Sequence, residues 1–269
     1  MENISLQSNR AFLYGDAVFE TVKILDNKVL FLEDHYFRLM SSMRILRMEI
    51  PMNFTMEFFE NEIVAVTKSM NLENSARARI TIYRKGGGFY LPQDNTIDYF
   101  ISVSKIDKPI YEIEKLDYEV DIYKDFYISK QLISTLKTTN RLTNITGSIY
   151  AKENDLNNCI LLNEEKNVVE VLNGNIFMLK DGILSTPPIS DGCLNGIMRK
   201  QILTIAKTVE NIEVMEESIS PFDLQKADEL FITNVIIGIQ PITKYRKKEF
   251  QSDVANQLLS KLNVKIRLG

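Results

Sequence analysis

Ser134-Thr135-Leu136-Lys137-Thr138-Thr139-Asn140 sets a lysine where an apolar approach meets a polar turn. Val168-Val169-Glu170-Val171-Leu172-Asn173-Gly174-Asn175-Ile176-Phe177 sets a carboxylate at the end of another apolar run. Taken singly, each residue reads as surface chemistry, since a lysine at the edge of an apolar run usually snorkels and a strand carboxylate usually faces water. The neighbours alter that reading. Thr138-Thr139-Asn140 is able to start the helix that follows, which puts the Lys137 amine beside a helix N-terminus. An enclosed, electropositive setting favours the neutral form of such an amine. Glu170, if buried, must be paired.

Working outward, both flanks read as mixed helix and strand. Residues 18–25 are β-prone, Asp26-Asn27-Lys28 is a turn, and 29–32 returns as the second arm of a hairpin. A helix begins at Glu33-Asp34 and runs towards Pro51, with Phe37, Met40 and Leu46 at helical spacing. A second amphipathic helix spans 53–69. Strands at 76–83 and 99–104 flank the glycine-rich Lys85-Gly86-Gly87-Gly88. On the other side of Lys137, a helix is expected at 140–154, strands at 158–162, 168–171 and 175–179, and a helix at 196–209. Strands at 212–215 and 229–233 and a helix at 251–262 complete the chain. The expected organisation is an N-terminal α+β domain over 1–107, a connection over 108–128 and a C-terminal α+β domain over 129–269 carrying Lys137.

The chain has 269 residues, 45% hydrophobic and 25% charged, enough for one large or two modest cores. A net charge of -4 argues against a nucleic-acid binder, which would show a basic face. Lys244-Tyr245-Arg246-Lys247-Lys248 reads as a solvated turn. Cys159 and Cys193 have neither metal-ligand spacing nor a disulfide framework, and a single histidine, His35, excludes any site that needs two. The N-terminus Met1-Glu2-Asn3-Ile4-Ser5 is polar and no apolar run reaches the roughly 20 residues of a membrane span. The cytoplasm is the expected compartment, and no metal is expected.

Two further segments carry chemistry. Gly192-Cys193-Leu194-Asn195-Gly196-Ile197-Met198-Arg199 is a glycine-flanked turn opening a helix, where exposed backbone N–H groups suit a phosphate. Arg38, in His35-Tyr36-Phe37-Arg38-Leu39, becomes a charge-assisted clamp if its helix packs against that phosphate. A lysine amine, a buried carboxylate and a phosphate cradle are what a protein needs to hold pyridoxal 5'-phosphate.

With these segments in view, the chain resembles the class IV aminotransferases, the fold-type IV pyridoxal-phosphate enzymes. That family includes branched-chain and D-amino-acid aminotransferases and 4-amino-4-deoxychorismate lyase. The resemblance covers nearly the whole length. It runs through Tyr14-Gly15-Asp16-Ala17-Val18-Phe19-Glu20, His35-x-x-Arg38-Leu39, Leu136-Lys137-x-x-Asn140, Glu170-x4-Asn175-Ile176-Phe177, Gly196-Ile197-Met198-Arg199 and Ala227-Asp228-Glu229-Leu230-Phe231-Ile232-Thr233-Asn234. It implies two α+β domains of the D-amino-acid aminotransferase-like kind with the cofactor between them, in a homodimer whose partner loop completes the pocket. By that resemblance Lys137 is the Schiff-base lysine and proton shuttle, and Glu170 faces the pyridine nitrogen. Arg38 and the N–H groups of Ile197 and Met198 take the phosphate, and Thr233-Asn234-Val235-Ile236 lines the phosphate or substrate side. Phe19, Thr21, Arg84 and Tyr90 are the candidate substrate residues.

Which member it resembles rests on fewer residues. Met198 and Asn234-Val235, where transaminases often carry hydroxyls, look like the lyase branch. So do Thr21, aligned with a lyase threonine, and Asn140-Arg141-Leu142. The expected function is therefore 4-amino-4-deoxychorismate lyase, giving 4-aminobenzoate and pyruvate in folate synthesis, with Thr21 helping to protonate the departing group. The alternative is a branched-chain or D-amino-acid transaminase. A non-catalytic relative is a third reading, opposed by the presence of both Lys137 and Glu170.

Overall fold

The structure, a computed structural model, describes residues 6–114 and 116–268, so the polar stretch at 1–5 lies outside the described residues. Contacts divide the chain into two units. The first runs to Pro109 and takes in Leu136–Asn140; the second holds Ile110–Thr135 and everything from Arg141 on.

In the first unit a short helix α1 (Arg10–Tyr14) precedes β1 (Ala17–Leu25), β2 (Lys28–Val29), α2 (Leu32–Ile45), α3 (Met56–Ser69), β3 (Ser75–Arg84) and β4 (Ile97–Lys105). The four strands form an antiparallel sheet in the order β2-β1-β3-β4. Alternation along β3 assigns its two faces. Ala76, Ala78, Ile80 and Ile82 join Val18, Val22 and Ile24 of β1 in a core with Leu39 and Met43 of α2 and Phe59 and Ile63 of α3. Arg77, Arg79 and Thr81 occupy the other face of β3. The expected hairpin is truncated, because Phe31, at φ +56°, turns the chain into α2 after only two residues of β2. Thr55 rather than Asn53 starts α3; its hydroxyl accepts the Phe58 N–H at 3.1 Å.

The Lys137 segment, expected with the C-terminal domain, clusters with this first unit. The Phe19 N–H donates to the Lys137 carbonyl at 2.8 Å and the Thr139 N–H to the Ala17 carbonyl at 3.1 Å. The physical reason is an available edge. β2 pairs only with Ile24 and Leu25, so the start of β1 has main-chain groups to satisfy, and residues 137–139 satisfy them.

The second unit holds two five-stranded sheets. One has the order β14-β13-β5-β6-β7, made of β5 (Glu119–Ile122), β6 (Asn158–Leu162), β7 (Val168–Val171), β13 (Lys244–Tyr245) and β14 (Lys248–Glu249). The other has the order β10-β9-β8-β11-β12, made of β8 (Asn175–Lys180), β9 (Ile183–Thr186), β10 (Glu213–Glu216), β11 (Glu229–Asn234) and β12 (Gly238–Ile242). Val120, Ile160, Val168 and Val171 pack with Ile176, Leu230, Ile232 and Ile242 in one core. Three helices complete the unit: α4 (Leu142–Glu153), α5 (Ile197–Ala206) and α6 (Asp253–Leu268). Buried Glu229 fixes the start of α6 by accepting the Val254 and Ala255 N–H groups at 2.8 and 3.0 Å. The basic run 244–248 is not a free turn but the hairpin β13–β14, with Tyr245 fully buried. β12 escapes a hydropathy reading because Gln240 and Pro241 interrupt it; an edge strand tolerates that proline. Among the described residues no helix is long and apolar enough to cross a membrane.

Candidate active site

Pairing with β1 decides where Lys137 points. Lys137 lies opposite Phe19, so the two side chains share a face, and the ammonium stands 4.5 Å from the Phe19 ring centroid. The Arg79 guanidinium stands 3.8 Å from the same centroid, and Arg79 is the cross-strand partner of Thr21. One face of the sheet thus gathers a lysine amine, an arginine, a hydroxyl and an aromatic ring, with Phe19 and Thr21 nearly buried. The turn behind Lys137 is tied down: Thr139 Oγ1 and Asn140 Nδ2 donate to the Gly15 carbonyl at 3.1 and 3.2 Å. Gly15 has φ +64°, and a Cβ there would run into the Asn140 carboxamide, which accounts for the glycine of Tyr14-Gly15-Asp16.

Arg38 sits in a buried charge cluster. Its Nε and Nη2 donate to Glu20 Oε1 and Oε2 at 2.8 and 2.5 Å, and His35 Nδ1 lies 2.7 Å from Glu20 Oε2. Burial by itself would raise the Glu20 carboxyl; the Arg38 charge and the His35 hydrogen bond outweigh it and bring it down to about 2. Burial pushes His35 the other way, below its ordinary value, against the pull of Glu20 and with the Lys137 and Arg38 charges adding to the shift. Glu20 and His35 are therefore a carboxylate and a neutral ring at neutral pH.

Arg84 is buried elsewhere. Its guanidinium donates to Asp16 Oδ2 at 3.0 Å, Asn95 Oδ1 at 2.6 Å and the Arg47 and Leu46 carbonyls at 3.1 and 2.7 Å. These partners give it a structural task, so the expectation that it meets a substrate carboxylate is not carried further. Tyr90 projects from the glycine-rich loop at 89% exposure, its ring 5.7 Å from that of Tyr14. Arg10 shapes that loop by donating to the carbonyls of Gly87 and Phe89 at 3.1 and 2.6 Å.

In the second unit Glu170 is buried on β7, and its Oε2 accepts the Leu194 N–H at 2.9 Å. Asn175 donates to the Leu194 carbonyl at 2.9 Å, so one carboxylate and one carboxamide hold the loop that enters α5. Gly196 is the N-cap of α5 with no side-chain cap, and a Cβ on it would collide with the Asn175 carboxamide. The first-turn N–H groups of Ile197 and Met198 have no acceptor within the helix. On β11, Thr233 pairs with Asn175, and its buried hydroxyl has no partner among the described residues. Asn234 serves its own turn: Oδ1 accepts the N–H groups of Ile236 and Ile237, each at 3.0 Å. The Val235 carbonyl accepts the Tyr111 hydroxyl at 2.6 Å. Burial pushes the Cys193 thiol up to about 12, which leaves it unreactive.

Of the expected residues, the first unit brings together Lys137, Phe19 and Thr21, and the second brings Glu170 to the loop leading into Ile197 and Met198. Arg79 was not among the sequence candidates. Its signal is an arginine in mid-strand on the face opposite Ala76, Ala78 and Ile80, a position that needs a polar partner.

The described chain superposes on a branched-chain aminotransferase of Thermoproteus uzoniensis solved with norvaline, at a TM-score of 0.86 and 24% identity, over 97% of this chain and 88% of that one. A Legionella pneumophila structure provisionally titled 4-amino-4-deoxychorismate lyase matches at a TM-score of 0.85 and 23% identity, over 96% and 93% of the two chains. By sequence, a Methanocaldococcus jannaschii protein provisionally named a branched-chain-amino-acid aminotransferase is 29% identical over 259 residues, 96% of this chain and 88% of that protein. The family model for amino-transferase class IV matches residues 17–245. The chain belongs to the class IV aminotransferases, pyridoxal-phosphate-dependent enzymes with this α+β fold. The residues present fit that cofactor. The first unit offers a lysine amine, and the second a buried carboxylate, a helix start without a side-chain cap and a Thr233 hydroxyl with no partner among the described residues, the residue types that such a group needs.

Proposed function

We propose that this chain is an amino-acid transaminase, exchanging the amino group of a small amino acid with a 2-oxo acid. The observation that supports the reading is the meeting of Lys137 and Arg79 on one Phe19 ring; Arg79, whose Nε donates to Thr81 Oγ1 at 3.2 Å, would receive a substrate carboxylate beside the amine that handles the α-proton. The names of the relatives support it, since the sequence relative matched along nearly the whole chain is called an aminotransferase.

Two residues that favoured the lyase in the sequence lose that meaning in their settings. The Met198 side chain is packed in the core, so what it offers is its N–H, which any residue there supplies. The Asn234 carboxamide closes its own turn. Thr21 keeps its place on the face it shares with Lys137, and with Asn140-Arg141-Leu142 it favours 4-amino-4-deoxychorismate lyase as the second reading.

In this assignment Lys137 would hold the cofactor by its aldehyde and Glu170 would face its ring nitrogen, favouring the protonated ring. The N–H groups of Ile197 and Met198, the Thr233 hydroxyl and Arg38 take the phosphate, with Asn234 and Val235 shaping the turn beside it. Bound there, pyridoxal 5'-phosphate supplies an electron sink for the substrate's α-carbon. Arg79 orients the substrate by its carboxylate, Phe19 shields the amine from water, and the Lys137 amine carries the proton to and from Cα.

A homodimer belongs to the same proposal. Phe89, Tyr90 and Leu91 present large apolar side chains, each at least 83% exposed, on a loop that Arg10 holds in shape. Light scattering on the purified protein tests this, and a monomer at micromolar concentration would remove it.

The deciding assay mixes the enzyme with branched-chain L-amino acids, D-alanine and aminodeoxychorismate in separate reactions. Amino transfer to 2-oxoglutarate from one of the amino acids supports the transaminase. Release of 4-aminobenzoate with no amino transfer would overturn it in favour of the lyase.

A further inference from the structure

We propose that Glu20 is a positioning residue for cofactor binding, holding the Arg38 guanidinium in one plane so that its opposite edge receives a phosphate monoester. This rests on the assignment of Arg38 to the cofactor phosphate made above.

Glu20 occupies a position where the strand pattern calls for an apolar residue. It alternates with Val18, Val22 and Ile24 along β1 and lies opposite Ile80, on the face that packs against α2 and α3. A carboxylate with 1% exposure is costly there, and an apolar residue of similar size would generally give a more stable core. What the carboxylate provides instead is geometry. It grips Arg38 through Nε and Nη2 together, and since the guanidinium is rigid and planar, fixing two nitrogens fixes the third. Arg38 keeps 11% of its side chain at the surface while Glu20 keeps 1%, so of the two it is the arginine that solvent reaches.

His35 secures the arrangement from behind. Its Nδ1–H donates to the same Glu20 oxygen that Arg38 Nη2 holds, and the ring has no exposure. Its Nε2 has no partner among the described residues, so the ring stays through Nδ1 alone. An arginine side chain otherwise gives up rotamer freedom when it binds. Holding it in place beforehand removes part of that cost from the binding step.

The test uses the full chain stripped of cofactor and titrated calorimetrically with pyridoxamine 5'-phosphate and with pyridoxamine, neither of which bonds to Lys137. The ratio of the two dissociation constants reports the phosphate contribution alone. Arg38→Gln should reduce that preference at least about tenfold, the effect of losing a charge-assisted hydrogen bond. Glu20→Gln should reduce it to a similar extent, and the double variant should fall no further, because Glu20 acts through Arg38. If Arg38→Gln leaves the ratio unchanged, the assignment of Arg38 fails. If Arg38→Gln lowers it and Glu20→Gln does not, only the positioning role fails. Equal weakening of both ligands by Glu20→Gln marks a merely structural residue and also overturns the proposal. Should Glu20→Gln not fold, Glu20→Asp keeps the charge, falls one methylene short of the Arg38 guanidinium, and must give the same loss of preference.

Discussion

Phe19 meets Lys137 twice, through its N–H on the Lys137 carbonyl at 2.8 Å and through its ring, whose centroid lies 4.5 Å from the lysine nitrogen. The first contact belongs to the backbone and survives any side-chain change; the second belongs to the amine proposed to hold the cofactor. Lys137→Ala should therefore leave the fold and thermal midpoint nearly intact while abolishing the covalent cofactor absorbance. The rate should fall by on the order of 10²–10⁴, the usual worth of a positioned acid–base group. Absorbance spectra of the reloaded variant check this, and a surviving band would remove Lys137 from the site.

Arg79 faces the same ring, and the role proposed for it lies in binding rather than in proton transfer. Arg79→Ala should raise KM for the amino-acid and 2-oxo-acid substrates by roughly 10–100-fold, the loss of a charged hydrogen bond, with a smaller effect on kcat. An unchanged KM for both substrates would mean the carboxylate lies elsewhere.

Glu170→Gln keeps an acceptor for the Leu194 N–H and removes the charge. The loop into α5 should hold, while turnover drops by on the order of 10²–10³ as the electrostatic partner of the ring nitrogen is lost. Circular dichroism beside steady-state kinetics separates the two outcomes.

Gly196→Ala brings a Cβ against the Asn175 carboxamide at the start of α5. Crowding of this sort costs about 1–3 kcal/mol. The thermal midpoint should fall and cofactor affinity should weaken with it. Asn175→Ala in the same chain should relieve part of the loss of stability.

Acid should act through Glu20. Its carboxyl is held at about 2 in the folded chain against 4.5 ordinarily, so its contribution is present above pH about 4.5 and lost as the pH falls towards 2. Thermal midpoints of the wild type and Glu20→Gln, measured from pH 6 to 2.5, should converge at the acid end. A constant difference across the range would show that the Glu20 charge contributes nothing.

Local patterning carried the strands and helices well where one face is apolar. β6, β7 and β8 read directly from 158–162, 168–171 and 175–179, since buried strands are continuous apolar runs. α6 was shortened in the reading because Val264 to Leu268 lacks a clear apolar face, and the helix continues there on main-chain bonds. β12 and the β13–β14 hairpin were hidden by Gln240, Pro241 and a run of lysines, whose strand pairing comes from distant segments such as β11 and β5.

By itself, the sequence determined the family and offered the lysine and the carboxylate proposed for the cofactor, because these depend on residue types in a fixed order. The glycines at 15 and 196 were visible too, although not the Asn140 and Asn175 side chains that require them. Only the tertiary structure decided that Lys137 joins the first unit as an added edge of β1, that Arg84 is locked to Asp16, that Arg79 shares the Phe19 ring with Lys137, and that Glu20 holds Arg38. These relations pair residues from 18 to more than 100 positions apart, and no local pattern encodes them. They follow from which main-chain edges and buried charges remain to be satisfied once the sheets have formed.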